Sequence, residues 1–169
     1  TDITGKTALG NGRGGFYGYD QANISWSVIS GNNGFGVRIA GQNGSASNNL
    51  IGLDVTGKSP LGNRGAGIEA SSRYSVVAAN VIGANERGMV LTDYSVVFDN
   101  QIGAMPGDDS TLANRGDGIF LHSGPGEITM NHIMGNGGAG IRNAGPHAIV
   151  THNAIAHNAG AGIVAQLGD

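Results

Sequence analysis

A carboxylate and a histidine, Asp93 and His122, are the residues of this chain best suited to acid–base chemistry. A carboxylate beside an imidazole orients it as a general base, although the same two residues also suit solvated turns. Arg38 and Glu69 form a second candidate couple, either as a surface ion pair worth at most about 1 kcal/mol or as groups that handle an acidic substrate. Both couples are far apart in sequence, so a fold must bring their members together.

A repeat supplies such a fold. A glycine followed by an apolar residue recurs with spacings of 21, 31, 21, 30, 22 and 22 residues. These anchor glycines are Gly15, Gly36, Gly67, Gly88, Gly118, Gly140 and Gly162. A period of this length predicts a solenoid. Because equivalent strand residues of stacked coils lie about 4.8 Å apart, function must be argued from columns of residues.

The segments around each anchor predict short strands. After the anchor, apolar and outward residues alternate, as in Val37 to Ile39 and Ile119 to Leu121, which is typical of a strand with one face inward. Before the anchor, the form apolar-x-x-Asn-x-apolar recurs, as in Val97 to Ile102. Each coil is therefore predicted to contain two or three very short strands.

Three related insertions lengthen some of the coils. Leu53 to Asn63 closely echoes Thr1 to Asn11, and Ala104 to Asn114 is a more divergent third copy. Long and short coils consequently alternate until the last two, which are both short. We expect the insertions to form stacked loops on one edge of the solenoid.

Asparagine fills two further columns. Its side chain has two donors and two acceptors, so stacked copies satisfy buried turn backbone and one another. The first predicted ladder is Asn49, Asn80, Asn100, Asn131 and Asn153. The second is Asn11, Asn32, Asn63, Asn114, Asn136 and Asn158, with Asn85 one residue out of register.

The amino-acid composition argues against several classes of binding partner. The net charge is −3, and the nine Lys and Arg residues form no basic run, which argues against a nucleic-acid partner. Cysteine is absent, so disulfides and thiolate metal sites are excluded. No apolar stretch approaches the roughly 20 residues that span a bilayer, so we expect no membrane insertion. The length suits one domain over residues 1–169.

The pattern Asn-x-Ile-x-Gly-Asn followed by Gly-Ile-x-Ile, at 21 or 22 residues, resembles the right-handed parallel β-helix repeat of the pectin-lyase-like superfamily. The resemblance implies an all-β, single-domain, right-handed parallel β-helix of about seven coils. Its members include pectate and alginate lyases, polygalacturonases, mannuronan epimerases, phage tailspikes and adhesin shafts, so the fold alone chooses no activity. The resemblance also implies an extracellular or cell-surface location.

The enzymes of that superfamily bind substrate along an exposed strand face. On that basis the outward residues Tyr17, Tyr19, Arg38 and Arg142 are candidates for contact with carbohydrate. Asp93, His122 and Glu69 are candidates for β-elimination or epimerisation of a uronate. The segment from Phe16 to Gln21 is similar to the Tyr-Gly-Phe-Asp-Pro-His motif of alginate epimerases, but the Pro-His half is missing.

The sequence gives little support for a bound metal or cofactor. All five histidines lie in the last third of the chain, but they occupy different columns, unlike a ligand set. Asp108 and Asp109 lack a recognisable calcium-ligand spacing. We therefore assign no metal and no cofactor.

The favoured function is a non-catalytic extracellular or surface module, a shaft or scaffold that contacts carbohydrate. The first alternative is a polysaccharide lyase or uronate epimerase, and the second is a self-assembling fibre subunit. Because neither terminus carries an amphipathic helix to cover the unpaired strand groups of a solenoid end, we expect a fragment of a longer chain or end-to-end or lateral self-association.

Overall fold

The chain folds as a parallel β-helix. The structure, a computed structural model, describes residues 1–92, 94–105, 107 and 110–165. Three parallel sheets run along this part of the chain, and their strands follow one another in turn along each coil. The first sheet has seven strands in the described residues, as the seven anchors predict.

The first sheet follows the anchor glycines, and the other two sheets follow it along each coil. The first sheet contains Phe16–Tyr19, Val37–Gln42, Ala66–Arg73, Arg87–Leu91, Ile119–Leu121, Ile141–Asn143 and Ile163–Ala165. The second contains Asn23–Ser25, Ser45–Ser47, Val76–Ala78, Val96–Phe98, Glu127–Thr129 and Ile149–Thr151. The third contains Val28–Ile29, Leu50–Ile51, Val81–Ile82, Gln101–Ile102, His132–Met134 and Ala154–Ala156.

A sharp corner separates the second sheet from the third. The residue directly before each member of the first asparagine column, or before the serine that replaces it in the first coil, has a left-handed backbone with φ between 53° and 56°. These residues are Trp26, Asn48, Ala79, Asp99, Met130 and His152. A single left-handed residue turns the chain abruptly, so the apolar-x-x-Asn-x-apolar segment forms two strands rather than one.

Inward side chains of the three sheets fill the interior. Ile51, Ile82, Ile102 and Ile133 pair coil to coil in the third sheet and are completely buried. Branched and unbranched apolar residues form the matching inner column of the first sheet, which comprises Val37, Ile68, Met89, Ile119 and Ile141. The alternating segments are therefore confirmed as strands with one buried face.

Both asparagine ladders are confirmed. In the first, each Nδ2 donates to the Oδ1 of the next asparagine over 2.9–3.0 Å, in the order Asn49, Asn80, Asn100, Asn131 and Asn153. The second ladder runs in the same sense with distances of 2.8–3.3 Å, through Asn11, Asn32, Asn63, Asn85, Asn114, Asn136 and Asn158. The remaining amide hydrogen caps a strand carbonyl, as from Asn131 to Val97 over 3.0 Å.

Asn85, one residue out of register with its anchor, nevertheless takes its place in the second ladder. Its Oδ1 accepts from Asn63 Nδ2 over 2.8 Å, and its own Nδ2 donates to Asn114 over 3.3 Å. Asn85 lies three residues before its anchor instead of four. The ladder therefore follows the turn, and the connection between ladder and anchor absorbs the missing residue.

Close packing between coils explains the anchor glycines. A Cβ at Gly67 would lie 2.8 Å from the Gly88 carbonyl oxygen, 2.9 Å from Asn85 Nδ2 and 2.7 Å from a methyl of Ile82. The neighbouring coil, its ladder amide and the core all meet at this atom. The glycine is required here for want of space, since its φ is not positive.

Two of the three insertions stack, as expected. The Asp54 carboxylate accepts from Thr56 Oγ1 and from the backbone N–H groups of Lys58 and Ser59 over 2.8–3.1 Å. Burial alone raises the pKa of this carboxyl, but these hydrogen bonds outweigh it and lower the pKa. Asp2 closes its loop similarly, and Val55 N–H donates to the Gly5 carbonyl over 3.1 Å.

The insertions are also part of the interior. Leu53 is buried at the base of the second loop. In the third copy, a 3-10 turn at Ser110–Leu112 buries Leu112, whose carbonyl accepts from Ala84 N–H over 2.8 Å. Asp108 and Asp109 lie outside the described residues.

Loss of one ladder amide should destabilise the fold. We expect Asn131→Ala to reduce the free energy of unfolding by about 1–3 kcal/mol, because the Asn100 amide and the Val97 carbonyl lose buried partners. The exposed Asn33 is the matched control, and Asn33→Ala should change stability by less than about 0.5 kcal/mol. Equal unfolding midpoints for the two variants would refute a stabilising ladder.

The anchor glycines offer a second test. Gly67→Ala should cost about 1–3 kcal/mol through overpacking, whereas a Cβ at Gly12 meets no atom within 4 Å. Gly12→Ala should therefore leave the melting temperature unchanged. Denaturant unfolding of both variants measures the difference, and a neutral Gly67→Ala would show that coil spacing is not set at this contact.

Candidate functional site

The outward residues of the first sheet form a column along the solenoid. Strand pairing places Tyr17, Arg38, Glu69, Val90, Phe120, Arg142 and Val164 side by side in successive coils. The candidate residues Arg38 and Glu69 are thus direct neighbours, and Arg142 lies three coils beyond Glu69.

Arg38 and Glu69 form an ion pair. The Arg38 Nε donates to Glu69 Oε2 over 2.6 Å, and a second guanidinium nitrogen contacts the same oxygen. The guanidinium carbon lies 4.4 Å from the centre of the Phe35 ring. Glu69 is therefore the ion-pair partner of Arg38 across neighbouring coils.

A groove opens beside this pair at the start of the first sheet. It encloses about 420 Å³ and is lined by Arg13, Gly14, Tyr17, Phe35 and Arg38. Tyr17 is 60% exposed, and Tyr19, two residues further along its strand, is 65% exposed. Aromatic faces and guanidinium groups consequently share one accessible surface.

Arg142 is held by a residue that the sequence did not single out. Asp117 is 8% exposed, and its Oδ2 accepts from Arg142 Nε over 2.8 Å, while its Oδ1 accepts from Ala139 N–H over 2.7 Å. Burial raises the pKa of the Asp117 carboxyl, but the hydrogen bond from Arg142 and its positive charge prevail, so the net pKa is lowered. The same partner raises the pKa of Arg142.

A sequence signal for Asp117 does exist. It directly precedes the anchor Gly118, at a position where the other coils have Gly14, Phe35, Ala66, Arg87, Ala139 and Ala161. Asp117 is the acidic residue of this column, and a carboxylate that becomes buried beside the anchor requires a cation or several donors. That signal predicts an ion pair but does not by itself identify Arg142.

The proposed Asp93–His122 couple is only half described. His122 is exposed, its ring lies edge-on to Phe120 with centroids 5.6 Å apart, and its backbone N–H donates to Leu91. The pairing of Leu91 with Leu121 leaves Thr92 opposite His122. Asp93 lies outside the described residues, so the couple stays a prediction.

Clusters that would hold a metal are not found in the described ranges. There, no three His, Cys, Asp or Glu residues lie close enough together to ligate an ion. None of the described helices has the length and apolarity needed to cross a membrane.

No family model matches this chain, and neither the curated proteins nor the solved structures contain a significant match. The function must therefore be argued from the surface itself.

The two ion pairs should differ in stability and in pH dependence. Arg142→Ala should cost about 1–3 kcal/mol at pH 7, because Asp117 stays buried without its main partner. Arg38→Ala should cost less than about 1 kcal/mol, since that pair is partly exposed.

The sign of the pH effect follows from the lowered pKa of Asp117. Its contribution is complete above the ordinary carboxyl pKa of about 4 and is lost as the pH falls through the folded-state pKa. Thermal unfolding between pH 7 and pH 2.5 should show the gap between wild type and Arg142→Ala closing. A gap that widens in acid would contradict this account.

Proposed function

We propose that this chain is a non-catalytic module of the pectin-lyase-like superfamily, a right-handed β-helix that serves as a rigid scaffold and contacts polysaccharide outside the cell or at its surface. The observation that carries the proposal is the groove beside Tyr17, where an exposed aromatic ring adjoins Arg13 and Arg38.

The chemistry of this groove favours an acidic saccharide. A pyranose ring presents an apolar face that packs on an aromatic side chain, and its carboxylate suits the planar donors of arginine. Arg38 already binds Glu69 on one side, which leaves Arg13 and the outer edge of Arg38 as the cationic part of the groove. Tyr19 extends the aromatic surface along the strand.

The non-catalytic part of the proposal rests on Glu69 and His122. Elimination or epimerisation needs a base, an acid and a group that stabilises the enolate around one carbon atom. Glu69 forms an ion pair with Arg38, and the His122 ring lies edge-on to Phe120. These contacts favour binding without turnover.

Titration calorimetry with oligogalacturonate and oligoalginate tests the proposal. We expect wild type to bind one of them and Tyr17→Ala to weaken that binding by about tenfold, the loss of one aromatic contact. Trp26→Ala is the control, because Trp26 is also a well-exposed aromatic residue but lies at the corner between the second and third sheets. A Trp26→Ala defect as large as that of Tyr17→Ala would contradict a specific groove.

Turnover is measured in the same samples. Ultraviolet absorbance of unsaturated ends and NMR of epimerised residues should both stay at background. Product formation that His122→Ala abolishes would overturn the scaffold in favour of an enzyme. Absence of binding to every acidic saccharide would overturn the carbohydrate contact.

A further inference from the structure

Two tyrosines stack on each other at the turn between the first and second sheets. Tyr74 and Tyr94 belong to consecutive coils, and their ring centroids are 5.4 Å apart with planes inclined by 39°. Both side chains are about half exposed. They form a small aromatic platform at a different corner of the coil from the Tyr17 groove.

The backbone of this platform is strained. Tyr74 and Tyr94 have φ values of 62° and 56°, a left-handed conformation that is a genuine outlier for a bulky residue. The left-handed conformation belongs to this turn, since Gln21, Asn43 and His147 of other coils have φ values of 52–59°, and asparagine tolerates it far better than tyrosine. The turn does not require tyrosine, and what distinguishes these two coils is the stacked pair of rings.

A shallow groove adjoins the platform. It encloses about 240 Å³, and its walls include Tyr74, Tyr94, Pro125, Glu127 and His147. Pockets for drug-sized ligands measure roughly 300–1,000 Å³, so this one suits a single ring. The aromatic rings supply an apolar surface, and the exposed Glu127 and His147 supply polar groups at its edge.

Among the described residues that line the groove, Glu127 is acidic and none is Lys or Arg. The Arg73 guanidinium lies 5.5 Å from the centre of the Tyr94 ring, and Glu127 provides a carboxylate on the neighbouring coil. A uronate would meet the Glu127 carboxylate, whereas hydroxyl groups both donate and accept. The surroundings therefore favour an uncharged, hydroxyl-rich ring.

We propose that Tyr74 and Tyr94 bind a neutral hexopyranose unit of a polysaccharide, with one face of the sugar stacked on the tyrosines and its hydroxyl groups bonded to Glu127 and His147. This site is separate from the Tyr17 groove and takes a sugar of different charge, so it stands or falls independently of the acidic-saccharide proposal. A proline-rich peptide, which also docks on aromatic surfaces, is the competing occupant.

The test uses the intact chain and five probes: cellohexaose, mannohexaose, maltohexaose, hexagalacturonate and decaproline. Saturation-transfer NMR and calorimetry should detect one neutral hexaose with a dissociation constant of the order of 1 mM, as expected for one buried ring. The double variant Y74N/Y94N, which places in both coils the residue type found at Asn43, should weaken this binding by about tenfold or more. Tyr17→Ala should leave it unchanged.

Stability separates this role from a structural one. Because asparagine suits the left-handed turn, Y74N/Y94N should melt at the same temperature as wild type or above it. A lower melting temperature would mean that the tyrosines stabilise the turn and would overturn the strain argument.

If the double variant folds poorly, the Glu127→Ala variant, at an exposed position, tests the sugar-binding proposal in its place. We expect it to weaken the hexaose several-fold, in line with the loss of a hydrogen bond to a charged group. Equal affinity for wild type and Glu127→Ala, stronger binding of decaproline or hexagalacturonate than of the neutral hexaose to the Tyr17→Ala variant, or no binding of any neutral hexaose would each overturn the proposal.

Discussion

The contact between one asparagine amide and the next governs the whole molecule. Each ladder hydrogen bond must span a single coil, and it does so only if the coils approach to the spacing of hydrogen-bonded strands. The anchor glycines permit that approach, because a Cβ at Gly67 would strike both the next coil and a ladder amide. Each coil must therefore place its equivalent residues directly above those of the coil before it. This requirement accounts for the corners, the strands and the inward isoleucine columns.

Much of this was predictable because the repeat makes the same physical demand in every coil. The meeting of Arg38 and Glu69 in neighbouring coils followed from counting residues after the anchors. Counting also shows Asn85 one residue out of register, and the hydrogen bonds explain why it still belongs to the ladder: they hold the turn and let the connection to the anchor shorten. Asp117 was missed because its partner Arg142 lies on the next coil but is displaced along it, a diagonal relation that columns do not display.

The two outward arginines of the first sheet make the same kind of contact in this fold. Arg38 and Arg142 both looked like ligand contacts in sequence, and both bind a carboxylate of a neighbouring coil. Stacking brings like positions together, so an isolated charge on such a surface finds either a partner or a repulsive neighbour. Recognition surfaces then arise more readily where aromatic residues occupy the turns, as at Tyr74 and Tyr94, because rings stack on one another without a charge balance.

The sense of the ladders has a consequence for chain assembly. Every rung presents an acceptor to the coil before it and a donor to the coil after it, so a coil that joins upside down would set donor against donor. The asparagine ladders thus fix the orientation in which successive coils stack. The rungs are also alike, and a coil that skipped its neighbour would find the same partner one step further on. The features that ensure that each coil stacks on its proper neighbour are therefore those that differ between coils. They are the unequal insertions and the change from isoleucine to Met89 within the core.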